Sequence, residues 1–159
     1  MQIVEYVRFN TLLTQWLRHN YGYPVRFPRR SVENMVIRRY LQRQPTPVPR
    51  KAAEGETPVC LPDSKAKPVG YWNYLGPVGR AELVRTAEET MLRQLWQMFY
   101  SYQKQGRTLQ EAAYLWCAAN GISEDHDRAA VMRYQRLRDE YLRAGVDLRQ
   151  RTRNRTETW

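Results

Sequence analysis

The sequence has 159 residues, of which 42% are hydrophobic and 12% aromatic; that is enough apolar content for a packed core and too much for a wholly disordered chain. Its formal net charge is +10, from 26 basic against 16 acidic residues, which favours a polyanionic partner. Glu5 and Arg8 interrupt the apolar stretch a secretory signal would need, no apolar run approaches bilayer length, and Cys60 and Cys117 lie in no Cys-x-x-Cys arrangement. The expectation is therefore a soluble, reduced, cytoplasmic protein of one domain, or a small domain plus an appendage.

In chain order, residues 3–19 place Val4, Phe9, Leu12, Leu13, Trp16 and Leu17 at helical spacing, and Tyr21-Gly22 with Pro24 stops the run. The connector "GYPVRFPRR" is held extended by Pro24 and Pro28. Ser31 is a good N-cap for a second helix over about 32–43, with Val32, Val36, Tyr40 and Leu41 on its apolar side. Residues 45–70 hold six of the nine prolines and read as a Pro-rich linker, within which "TPVCL" suits a short edge strand.

A long third helix is predicted from Pro77 to about Gln105, with Val84, Ala87, Met91, Leu95, Met98 and Tyr102 as its stripe, widened by Trp96 and Phe99. Thr108 and Glu111 form a capping-box pattern for a fourth helix with Ala112, Leu115, Trp116 and Ala119 inward, and Asn120-Gly121 ends it. Ser123 caps a fifth helix that runs to Ala144, with Ala130, Tyr134, Leu137 and Tyr141 as its buried stripe. The fold expected from this pass is all-α. It comprises an N-terminal helical pair (1–44), a Pro-rich linker (45–70), a three-helix domain (71–145) and a disordered or extended Arg-rich tail (146–159).

Charge is unevenly spread. Residues 1–44 hold eight arginines against Glu5 and Glu33, whereas residues 107–145 hold as many acids as arginines. Only Lys51, Lys65, Lys67 and Lys104 are lysine, and arginine supplies a planar donor fork suited to phosphate and to guanine edges. A GC-rich genome would produce the same bias. Nucleic-acid contacts are expected first from Arg26, Arg29, Arg30, Arg38, Arg39 and Arg43. On the second helix, Asn34, Arg38 and Gln42 fall at i, i+4 and i+8 as side-chain types that contact base edges. Further phosphate contacts are assigned to Arg128, Arg133, Arg136 and Arg143, which lie off the apolar stripe of the fifth helix. The terminal ladder Arg149, Arg151, Arg153 and Arg155 shares one side only if extended, and reads as an auxiliary clamp. Tyr21, Tyr23 and Phe27 either stack on unpaired bases or pack the connector onto the core.

The segment "LQEAAYLWCAANGISEDHDRAAVMRY" joins two helices through a short Gly turn, with Cys117 four residues before Gly121. Over residues 108–132 it resembles the helix-turn-helix of small DNA-binding proteins of phages and mobile elements. That resemblance implies a recognition helix in the fifth-helix position. Asp127 departs from the pattern where it buries an apolar residue, and Glu124, Asp125 and Asp127 place acids in the leading turn. No catalytic constellation is found: His19 and His126 have no partner at metal-ligand spacing, and no Gly-rich phosphate loop or Ser-His-Asp order occurs. A non-enzymatic protein without cofactor or metal is expected. Its reading is a DNA-binding regulator or accessory factor of a phage or mobile element. The alternatives are a helical protein–protein assembly factor and a binder of single strands or RNA.

Overall fold

The computed structural model describes residues 3–45 and 51–146. In chain order its elements are β1 (Val4–Arg8), α1 (Thr11–Tyr21), α2 (Val32–Tyr40), β2 (Leu41–Arg43), β3 (Glu56–Cys60), β4 (Trp72–Leu75), α3 (Pro77–Lys104), α4 (Leu109–Ala119), a 3-10 turn (Glu124–His126) and α5 (Asp127–Arg143). The chain divides into two compact units, residues 1–90 and 91–159, and the division falls inside α3. No helix among the described residues is long and apolar enough to cross a membrane.

The all-α expectation is overturned, because the first unit contains two two-stranded antiparallel sheets and the fold is mixed α/β. The predicted helix over 3–19 is a strand followed by a helix. Ile3, Val4, Tyr6 and Val7 suit a pleated, half-buried surface, and Glu5 and Val7 alternate inward along β1. Asn10 then starts α1 by accepting the Leu13 amide at 2.8 Å, and Leu12, Leu13, Trp16 and Leu17 enter the core. The segment read as a linker does hold the short strand expected in "TPVCL": β3 pairs with β1 from Val4↔Cys60 to Arg8↔Glu56 and is buried from Thr57 to Cys60, so it is no edge strand. Its other edge takes the connector: the Val25 amide donates to the Pro58 carbonyl and the Val25 carbonyl accepts from Cys60. β2 pairs with β4, Leu41↔Leu75 and Gln42↔Tyr74, in place of a last turn of α2.

Helix α2 is also rotated from its predicted phase. Its buried residues are Glu33, Asn34 and Ile37, while Val32 and Met35 are 53% and 55% exposed. Two polar side chains turn inward because each finds a partner there. The Thr90 hydroxyl donates to the Glu33 carboxylate, and the Asn34 amide donates to the carbonyls of Phe27 and Pro28. A periodicity that assumes apolar means buried reads this helix on the wrong side. At the start of α3, Gly79 leaves no room for a side chain, since a Cβ there would lie 2.7 Å from that of Tyr40. This close approach seats α3 against the junction of α2 and β2.

In the second unit the expected helices are present, except that Ser123 caps the 3-10 turn, accepting the Asp125 amide at 3.3 Å, and α5 begins only at Asp127 without a side-chain cap. Thr108 and Glu111 make the reciprocal bonds of a capping box, at 3.1 and 2.9 Å. The core holds Met91, Leu95, Phe99, Ala112, Ala113, Trp116, Cys117, Ala130 and Tyr134. Thus Phe99, expected only to widen the stripe, stands on the spine of α3 while Met98 is half-buried, Ala113 and Cys117 replace Leu115 and Ala119 on α4, and Tyr141 is exposed. The buried polar atoms are connected: Trp116 Nε1 donates to Gln94, Gln94 donates to Asn120, and the Asn120 amide donates to the Trp116 carbonyl. The Tyr134 hydroxyl donates to Gln103 at 2.7 Å, and burial raises its pKa above the usual phenol value.

Candidate nucleic-acid interface

The predicted arginine cluster is assembled around α2 in the first unit. Ser31 opens the helix, its hydroxyl accepting the Asn34 amide proton at 3.2 Å and donating to the Pro28 carbonyl at 2.7 Å. That cap ties the connector, with exposed Arg26, Arg29 and Arg30, to the helix that carries Arg38 and Arg39. Arg38 reaches back to the Arg29 main-chain carbonyl at 3.5 Å, so its side chain lies against the connector. Among the described residues, none of Arg26, Arg29, Arg30, Arg38, Arg39 and Arg43 is engaged in an ion pair.

The other two members of the predicted helical stripe are placed elsewhere. Asn34 is 7% exposed and its amide is engaged by Phe27 and Pro28, so it holds the connector and has no access to a base. Gln42 stands on β2, because α2 ends at Tyr40, and the i, i+4, i+8 relation does not exist in the fold. Gln42 and Arg43 are nevertheless exposed. The aromatic connector cluster is largely core: Phe27 is buried, and Tyr21 packs between it and Trp16. Tyr23 is exposed, with the Arg18 guanidinium 4.4 Å from its ring centre.

Sequence reasoning missed Lys67, Tyr71 and Trp72. The Lys67 ammonium donates to the carbonyls of Arg38, Arg39 and Leu41, at 2.6, 3.2 and 3.2 Å. Those groups end α2, so a cation there both satisfies open carbonyls and offsets the negative end of the helix dipole. The same ammonium lies 5.3 Å from the centre of the Trp72 ring. On β2, the Arg43 guanidinium lies 6.0 Å from the Tyr71 ring and 5.9 Å from the Trp72 ring, within cation–π range. The available signal was "GYWNYLGP", an aromatic run bounded by Gly and Pro, which reads as a strand.

In the second unit, Arg128, Arg136 and Arg143 are exposed on α5, and Arg133 is half-buried with its Nε unpartnered. A cleft of about 490 Å³ is lined by Gln110 and Ala113 of α4 and by Asp127, Arg128, Val131, Met132 and Gln135 of α5. In the helix-turn-helix-like segment, Glu124 and Asp125 are exposed in a 3-10 turn ahead of α5. Asp127 instead lies against the buried Cys117 thiol, which desolvation and this carboxylate push up to about 12. A thiol held that strongly protonated is a structural group and a poor nucleophile. Among the described residues no three His, Cys, Asp or Glu side chains gather as a metal site. Arg149, Arg151, Arg153 and Arg155 lie outside the described residues.

Searches against protein-family models, curated proteins and solved structures find no match to the chain.

Proposed function

We propose that this chain is a non-enzymatic nucleic-acid-binding protein whose first unit grips the phosphate backbone, duplex DNA being the partner that its arginines by themselves would hold. The observation that carries this reading is the set of six arginines around α2, exposed or half-exposed and without ion pairs among the described residues. Guanidinium groups gathered in this way repel one another, and a run of phosphates relieves that repulsion while accepting their hydrogen bonds. The acids ahead of α5 oppose phosphate, so the helix-turn-helix-like segment is assigned a supporting place. In this reading the arginines of α5 and the terminal ladder add backbone contacts, and the chain serves in the cytoplasm as a regulator or accessory factor.

The test is fluorescence anisotropy of a labelled duplex titrated with protein at about 50 and 200 mM salt, where release of counterions from six phosphates lowers affinity by about a thousandfold. Absence of binding at either salt, or salt-independent affinity, overturns the proposal. A second reading, a protein-assembly factor, draws on the exposed Val32 and Met35 of α2, which share a helix face with Arg39. Salt-independent capture of a discrete protein partner would favour it.

A further inference from the structure

We propose that the β2–β4 ribbon is a stacking platform for unpaired bases, so that the preferred nucleic acid contains a single-stranded stretch beside the phosphates held by α2. This rests on the nucleic-acid reading above and specifies its substrate class. Tyr71 is 65% exposed, yet its backbone is fixed: its amide donates to the Pro68 carbonyl at 3.0 Å and its carbonyl accepts from Gln44 at 3.1 Å. The loop before it is equally tied, since Asp63 accepts the Val69 amide and Asn73 donates to the carbonyls of Val69 and Gly70. Apart from the Arg43 guanidinium beside it, the ring faces water, and a side chain on a backbone fixed in advance loses less entropy on stacking than one on a loose loop.

The register of the ribbon completes the platform. Between Gln42 and Arg43 the pairing slips by one residue, so Arg43 stands opposite Trp72 instead of Asn73. Such a bulge re-aims a side chain, and here it sets the guanidinium beside both aromatic rings. The Lys67 ammonium lies beside Trp72 as well and bonds the main-chain carbonyls of Arg38 and Arg39, which ties the aromatic rings of the ribbon to the end of α2 that carries those arginines. Duplex DNA offers phosphates to such a ribbon but keeps its base faces stacked inside. A single strand offers both, and every base has a face to stack whatever its sequence. Asp63 is the acid tied into this loop, and it is engaged by the Val69 amide.

The experiment compares binding of a blunt duplex and of a single-stranded oligonucleotide carrying 2-aminopurine, followed by anisotropy and by quenching of the base. Wild type and Tyr71→Phe are expected to bind the single strand more tightly than the duplex and to quench the probe. Tyr71→Ala is expected to lose about tenfold in single-strand affinity, with little change on the duplex. An oligoribonucleotide arm that quenches equally supports the same platform, and the tighter of the two strands identifies its source. Wild-type single-strand affinity in Tyr71→Ala, or binding without quenching, overturns the platform while leaving phosphate binding intact. Failure of wild type to bind either probe overturns both proposals. Loss of duplex and single-strand binding alike in Tyr71→Ala but not in Tyr71→Phe also overturns the platform, because the aromatic group would then support the whole interface.

Discussion

Replacing Arg38 and Arg39 together with alanine is expected to lower duplex affinity by about ten- to a hundredfold and to flatten its salt dependence by nearly two units of slope, as two phosphate contacts are removed. The fold should survive the change. Arg39 is exposed, Arg38 bonds the Arg29 carbonyl at the long distance of 3.5 Å, and alanine is the best helix former. Lys67 remains to cap the end of α2. Far-ultraviolet circular dichroism and a melting curve check this. Truncation after Asp147, which removes the terminal ladder, is expected to matter less, because an auxiliary clamp adds contacts only after the first unit has docked. Anisotropy on both variants decides the order, and equal affinity for wild type and the arginine pair would contradict it.

Substitution of Glu5 by alanine is expected to destabilise the protein by about 3 kcal/mol. One buried carboxylate joins three elements of the first unit. Its Oε1 accepts the Tyr6 amide at 2.9 Å in β1, its Oε2 accepts the Leu75 amide at 3.1 Å in β4, and Arg80 of α3 approaches Oε2 at 3.2 Å. Arg80 Nε and Nη2 are buried without a hydrogen bond, although Nη2 lies at ion-pair distance from the carboxylate. The contact is therefore electrostatic attraction without a directed bond, and with the Tyr74 ring 5.8 Å from the guanidinium it offsets that group's desolvation. Removing the carboxylate leaves a partly buried cation and an unsatisfied strand amide. The Arg80 side chain is 24% exposed, so water recovers part of the loss and the cost falls at the lower end of the usual range for a broken buried pair. Urea unfolding measures it; a midpoint unchanged from wild type would show that the carboxylate is dispensable.

The sequence carried the local features well and the distant ones poorly. Thr108 and Glu111, Asn120-Gly121 and Ser31 act within a few residues of themselves, and each was legible because its partner lies nearby in the chain; Ser123 was legible as a cap, but of the 3-10 turn and not of α5. β1 and β3 are separated by nearly fifty residues, and the buried edge between them follows from a pairing that no sequence window contains. Glu5, Glu33 and Asn34 misled the periodicity for the same reason, since each is buried against a partner the local pattern does not reveal. At the candidate interface, composition was enough to single out Arg26 to Arg43. Tyr71, Trp72 and Lys67 were not, because their significance depends on a strand pairing and a bulge that bring them to Arg43.

The most direct measurement is a ¹H–¹⁵N correlation titration of the labelled protein with a short oligonucleotide bearing a single-stranded overhang. Docking through the first unit predicts that amide shifts gather at residues 26–43 and 67–75, while α5 around Arg128 and Arg136 changes less. Shifts confined to α4 and α5, with residues 26–43 unmoved, would contradict it.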